Sequence, residues 1–373
     1  MTRQVLAADQ VFDGQTLHRD RALLVEDGRI AGLIPRPADL PPLPGIIAPG
    51  FVDLQVNGGG GLMVGAGTDA AALTRICAAH RGLGCAGVLP TLITDRPQVT
   101  AQVLTAGAQA ARDLIPGFLG LHLEGPHLDP RRAGAHDPAL IRPMTADDLA
   151  QLVDAAARLP ALMVTLAPGA ATPDQIAALS RAGVIVSLGH SDCILPQAQD
   201  AIAAGARCAT HLFNAMSQMG HRQPGLVGAV LAGTIHAGLI ADGIHVDPAA
   251  LTVALRARPR GLFLVSDCMA VAGSDLEAFD LQGRRILRRD GRLTLPDGTL
   301  AGADLRLDRA MRTVVAAGAE PARALAMATS IPADLLGAPT GRLLPGRAAD
   351  LVHLDADLTL RGIWDGTGWQ APH

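Results

Sequence analysis

The chain has 373 residues, 49% of them apolar and 18% charged, with a net charge of −4. That is enough apolar side chain for a large buried core, and without a Lys/Arg-rich run or a basic aromatic face it argues against a nucleic-acid partner. Five cysteines, an odd number with no CxxC pair, argue against both a disulfide framework and a cysteine-only zinc site, and fit a reducing cytoplasm.

The opening stretch "MTRQVLAADQVFDG" lacks the apolar segment of a signal peptide. Residues 1–49 run as short alternating segments broken by "DG" turns, "VFDG" and "LLVEDGRIAGLI", which predict hairpins. The tail "GRAADLVHLDADLTLRGIWDGTGW" has the same character. The two ends, 1–49 and 342–373, are therefore expected to join as one small β-sandwich domain.

Residues 50–341 follow a different rhythm, in which short apolar runs alternate with helical stretches such as "TDAAALTRICAAHRGLG" and "ATPDQIAALSRAG". The runs lie at residues 50–58, 87–94, 118–125, 162–169, 184–191, 207–214, 236–243 and 262–268. Eight is the number that closes a TIM-type (β/α)8 barrel, which is the expected α/β fold. A doubly wound open sheet is the alternative, and it too places ligands at the carboxyl ends of its strands. The longest uncharged run, residues 223–241, contains a proline, a histidine and several glycines, so buried strand and helix are expected there, not a membrane span.

Polar residues fall mostly at the C-terminal ends of these runs: Asp53, Gln55, Asn57, Glu124, His190, His211, Asp242 and Asp267. A barrel builds its site on that face. Glu124 ends the apolar stretch "FLGLHLEG", which also carries His122, and meets no Lys or Arg before Arg131. It needs water, a hydrogen-bond network or a metal. With His190 and His211 it supplies one carboxylate and two imidazoles from three strands, a set suited to a divalent metal with an open position, Zn²⁺ or Fe²⁺. Asp267, in "LVSDCMA", is read either as the general base for a metal-activated water or as a further ligand or helix cap. Cys268 beside it reads as a small buried residue, with no cation at hand to activate it. The "NGGGG" stretch reads as a flexible loop, because no Walker lysine follows.

The segments "PGFVDLQVNG", "PTLIT", "LHLEGPHL", "VTLAPG", "SLGHS", "ATHLFNAM", "RQPGLVGA", "IADGIHVD" and "LVSD", in this order, resemble the N-acetylglucosamine-6-phosphate deacetylases of the amidohydrolase superfamily. The resemblance implies hydrolysis of the N-acetyl group to acetate and glucosamine 6-phosphate. It implies metal ligation by Glu124, His190 and His211, acid/base work by Asp267, and His136 beside the acetyl carbonyl. Ala135, His136, Asn214, Ala215, Asp242 and His245 are implied to touch substrate, as are Leu300, Ala301 and Gly302 in a closing loop. Arg222 matches an arginine that reaches the phosphate in the neighbouring subunit's site, so a homodimer is implied. His221 matches no assigned role. Relatives acting on the galacto epimer supply the alternative substrate, and amidohydrolases of cyclic amides or nucleobases supply another reaction. Where the superfamily often carries His-x-His, this chain has Gln55-Val56-Asn57; amides are poor ligands for a transition metal, so one metal per site is expected.

Overall fold

The computed structural model describes residues 2–373. Eight parallel strands succeed one another in chain order: Phe51–Val56, Cys85–Ile93, Leu121–Glu124, Leu162–Leu166, Ile185–Leu188, Cys208–Ala209, His236–Leu239 and Leu262–Leu264. Each matches one of the eight apolar runs, and nearly all their side chains are buried, as a sheet covered on both faces requires.

The first and eighth strands are joined by single bonds at their ends and not by a full ladder. The Asp267 N–H donates to the Gln55 carbonyl at 3.0 Å and the Asn57 N–H to that of Cys268 at 2.8 Å. One step below, both carboxylate oxygens of Asp53 accept the Ser266 N–H at 3.2 Å. Burial pushes the Asp53 carboxyl up to about 7. These bonds nearly close the barrel and tie the strand bearing Gln55 and Asn57 to the one leading into Asp267.

The connecting helices begin where the sequence signals a start. Asp69 accepts the Ala72 N–H ahead of Ala70–Arg81, and Thr172 forms a capping box with Gln175, with proline in the first position of Pro173–Arg181. The third strand starts three residues later than its apolar run. Gly120 has φ +135°, and a Cβ there would lie 2.0 Å from the Ala161 carbonyl oxygen. The sixth run keeps only two residues as strand, because His211, Phe213 and Ala215 turn the chain with positive φ.

The chain ends pair directly, Leu43–Pro49 lying antiparallel to Leu351–Leu354. Arg3–Phe12 is shared between two halves, pairing with Arg21–Glu26 through its first part and with Leu43–Pro49 through its second. Leu23, Val25 and Ile30 of one half meet Ile47, Leu351 and Trp364 of the other in one apolar cluster, the core of the small sandwich. The hairpin turn at Asp27–Gly28 has positive φ at both residues, as a two-residue connection demands.

One element has no counterpart among the expected ones. A four-stranded antiparallel sheet, Ala278–Leu281, Arg284–Arg289, Arg292–Thr294 and Leu300–Ala303, follows the eighth strand. Its signals were present in the "DG" pairs Asp290-Gly291 and Asp297-Gly298. The glycines of "NGGGG" likewise form a short ladder, Gly58–Gly59 with Leu62–Met63, in place of a free loop. Among the described residues, no helix is long and apolar enough to cross a membrane.

Candidate metal-dependent active site

At the C-terminal rim the side chains of Glu124, His190 and His211 converge, their ligand atoms all within 4.8 Å of one another and all three residues buried. His190 and His211 have φ of 46° and 27°, and Asp267 has 49°. Only a few per cent of non-glycine residues adopt the left-handed region, and they gather at functional sites. Here all three lie just past the ends of barrel strands, and their side chains line one cavity.

The donor chemistry fits a cation. The Nδ1 of His190 donates to the Arg132 carbonyl at 2.8 Å, which leaves Nε2 with a lone pair. That lone pair faces Glu124 Oε1 at 3.1 Å and His211 Nε2 at 3.1 Å. The latter nitrogen is itself 2.9 Å from the same carboxylate oxygen. Each of these three atoms can direct a lone pair to one point, which is the arrangement a bound cation needs. Burial works to raise the Glu124 carboxyl, yet its close contacts with the two imidazoles outweigh that and hold it well below the usual range. Burial also opposes a charge on His211, and Glu124 outweighs it and raises that imidazole.

Gln55 and Asn57 act as donors. Gln55 Nε2 lies 3.1 Å from both Glu124 Oε1 and Asp267 Oδ1, and Asn57 Nδ2 donates to Asp267 Oδ1 at 2.7 Å. One oxygen of Asp267 is thereby fixed, while no hydrogen bond within the described residues engages Oδ2. Burial, and then repulsion from Glu124, push the Asp267 carboxyl up to about 6.

His136 has a defined tautomer. The Thr94 N–H donates to its Nδ1 at 3.2 Å, so the ring proton sits on Nε2, which faces Glu124 Oε2 at 3.8 Å. Burial pushes this imidazole down to about 3, so the ring is neutral. Thr94, which no charge or spacing marks in the sequence, also contacts His136 through its hydroxyl at 2.8 Å. Gly125 leaves room for that hydroxyl, since a Cβ there would come within 2.2 Å of it. His245 donates from Nδ1 to Asp242 Oδ2 at 2.6 Å, and the other carboxylate oxygen of Asp242 accepts the His245 and Ile244 N–H groups at 2.8 Å.

A cavity of about 190 Å³ unites these groups. Glu124, His136, His190, His211, His245 and Asp267 line it, and so do Ala135, Asn214, Ala215, Leu300 and Gly302. Two expected contacts lie elsewhere: Asp242 stands behind His245, and Ala301 is buried in the apolar cluster of the four-stranded sheet. Arg222, expected to serve a neighbouring subunit's site, is exposed on the loop before helix Gly225–Ala232. Ile93, Ile240 and Met269 also face the cavity, and nothing but their strand-end positions marks them in the sequence. A larger space of about 510 Å³, lined by Cys268, Arg288, Arg306 and Arg309 among others, holds none of the three converging ligands. The chemistry belongs to the smaller one.

Fold and site together define a barrel enzyme whose rim is built to ligate a metal. The chain matches the amidohydrolase family over residues 46–368 and belongs to it. It is 38% identical to an N-acetylgalactosamine-6-phosphate deacetylase of Shewanella sp. (strain ANA-3) and 37% identical to the human N-acetylglucosamine-6-phosphate deacetylase, each match covering 86% of this chain and 82% of the relative. The solved structure of N-acetylglucosamine-6-phosphate deacetylase from Pasteurella multocida superposes with a TM-score of 0.92 at 30% identity, covering 99% of this chain and 100% of that one.

Proposed function

We propose that the protein hydrolyses the N-acetyl group of N-acetyl-D-glucosamine 6-phosphate, releasing acetate and D-glucosamine 6-phosphate in amino-sugar metabolism. The observation that carries this reading is the pairing of a metal-ligating triad with a carboxyl held near neutral pH, in a chain whose relatives over most of its length are amino-sugar-phosphate deacetylases. N-Acetylgalactosamine 6-phosphate is the second reading, favoured by the 38% identity to the Shewanella enzyme. Identities of 38% and 37% do not separate the epimers.

Glu124, His190 and His211 would hold one divalent metal, Zn²⁺ or Fe²⁺, and a metal there supplies Lewis acidity to the water and the acetyl carbonyl. Asp267 takes the water's proton on Oδ2 while Gln55 and Asn57 hold Oδ1, and it returns the proton to the departing amine. The neutral His136 offers Nε2–H to the carbonyl oxygen as negative charge develops there. The side-chain nitrogens of Gln55 and Asn57 donate to carboxylates, and amides are weak ligands for a transition metal where imidazoles would be strong ones, which supports a single metal and not a pair. Ala135, Asn214, Ala215, His245, Leu300 and Gly302 frame the sugar; Asp242 acts through His245, and Ala301 holds the strand that presents its neighbours.

No Lys or Arg lines the cavity among the described residues. A phosphate dianion needs a cation, which supports a homodimer in which Arg222 of one subunit reaches the site of the other. The change of sheet between Pro49 and Phe51 supports the division into an end-to-end β domain, 1–49 with 342–373, and a barrel, 50–341. The cysteine pattern supports a cytoplasmic setting.

The deciding experiment is acetate release from the gluco and galacto 6-phosphates and from unphosphorylated N-acetylglucosamine, with metal quantified on the same sample. Fast turnover of the gluco phosphate at about one metal per chain is expected. No release from any of the three by metal-loaded protein would overturn the substrate assignment.

A further inference from the structure

His122 lies inside the third barrel strand, where the proposed chemistry gives it no work. Its Nε2 is 2.7 Å from Thr165 Oγ1, that hydroxyl is 2.6 Å from Thr210 Oγ1, and Thr210 Oγ1 is 2.6 Å from Ser187 Oγ. All four residues are buried. They come from four adjacent strands or strand ends, and the bonds run around the barrel interior across the sheet. Beyond His122, the Thr91 hydroxyl accepts the Val56 N–H at 3.0 Å and donates to the Leu89 carbonyl at 3.0 Å, which carries the polar layer on to the first two strands.

This layer adjoins every metal-ligating residue. His122 is two positions before Glu124 on one strand, so both side chains point to the same face, one strand repeat of about 6.6 Å apart. Thr210 immediately precedes His211. Gly189 immediately precedes His190, and a Cβ on it would lie 2.9 Å from Thr165 Cγ2 and 3.0 Å from Thr210 Cβ. The hydroxyl chain thus packs against the backbone from which each ligand springs. An apolar layer would fill the same volume, but each hydrogen bond constrains direction and length in a way that dispersion contacts do not.

We propose that His122, Thr165, Thr210 and Ser187 form a positioning layer that fixes the three ligand-bearing strand ends relative to one another, and so sets the affinity and geometry of the metal site. The inference rests on the reading of Glu124, His190 and His211 as metal ligands. Groups that orient ligands without touching the metal are typically worth about 10- to 100-fold in affinity.

The test is a Co²⁺ titration of the metal-stripped full chain, followed by visible absorption, for wild type, His122→Phe, Thr165→Val and His122→Gln. The first substitution replaces the imidazole with a somewhat larger apolar ring, the second is isosteric, and glutamine keeps a polar group that can pair with Thr165. Expected are dissociation constants raised about 10- to 100-fold with shifted absorption bands for His122→Phe and Thr165→Val, and substantial recovery in His122→Gln. Should His122→Phe fail to fold, Thr165→Val decides alone. Wild-type affinity and spectrum in the folded variants, with only the melting temperature of the metal-free protein lowered, would reduce the layer to core filling and overturn the proposal. Absence of Co²⁺ binding by wild type itself would instead remove the metal reading on which it stands.

Discussion

Asp267 illustrates how a side chain acquires a role from its neighbours. Burial and the charge of Glu124 push its carboxyl up to about 6, while two amide donors secure one oxygen and leave the other free to work. Asp267→Asn should cost about 10²–10⁴ in kcat at unchanged metal content, because the amide cannot take a proton. The base form is the ionised one. kcat/KM should therefore fall as pH drops through about 6, and a profile flat between pH 5 and 7 would remove Asp267 from the role. His136 works in the opposite protonation sense, as a neutral ring donating from Nε2. Replacing it with Phe withdraws that donor and should lower kcat about 10²- to 10³-fold with little change in KM; a loss confined to KM would make it a binding residue only.

At the scale of elements, the barrel helices are anchored by caps whose charges respond to pH. Thr145 and Asp148 form a capping box at the start of helix Ala146–Ala156, and Arg142 pairs with the same carboxylate. Burial works to raise Asp148, but the bonds to Arg142 and Thr145 outweigh it and hold the carboxyl well below its usual range. A carboxyl depressed on folding contributes stability above its unfolded pKa of about 3.9, and that contribution is lost as pH falls toward the folded value. Asp148→Ala should cost about 0.5–2 kcal/mol at pH 7, measured by denaturant unfolding, with a smaller difference from wild type at pH 3. Equal losses at both pH values would assign the effect to pH-independent packing and hydrogen bonding of the side chain and not to its charge. The four-stranded sheet after the eighth strand acts as a wall of the site: Arg284 reaches back to the Ala135 carbonyl at 2.6 Å, and Leu300 and Gly302 face the cavity.

For the whole molecule, the absence of a cationic side chain around the cavity, among the described residues, is the feature with the largest consequence. If phosphate is bound by Arg222 of a second copy, Arg222→Ala should raise KM for the 6-phosphate about 10- to 100-fold. That corresponds to the roughly 1.5–3 kcal/mol of a charge-assisted hydrogen bond, and turnover of the unphosphorylated sugar should stay unchanged. Mixing Arg222→Ala with Asp267→Asn subunits, the first impaired in KM and the second in kcat, should restore low-KM turnover of the phosphate in the heterodimers whose one complete site combines both intact residues. Failure of mixing, in a sample shown to exchange subunits, would place the phosphate contact elsewhere.

The eight apolar runs with polar ends determined the barrel and named Glu124, His190, His211 and Asp267, because strand periodicity and the position of a polar residue at a run's end are local properties of the chain. The "DG" turns likewise determined the hairpins at both ends. What only the tertiary structure decided depends on distance between residues far apart in sequence. Thr94 selects the tautomer of His136, and Gln55 bridges Glu124 and Asp267. Asp242 turns out to support His245, and Ala301 is turned into an apolar cluster. His122 finds a hydroxyl partner 43 residues away. A hydrogen bond's direction, and a carboxyl's displacement by burial, are set by atoms that the fold brings within a few ångströms, and no pattern along the chain records which atoms those are.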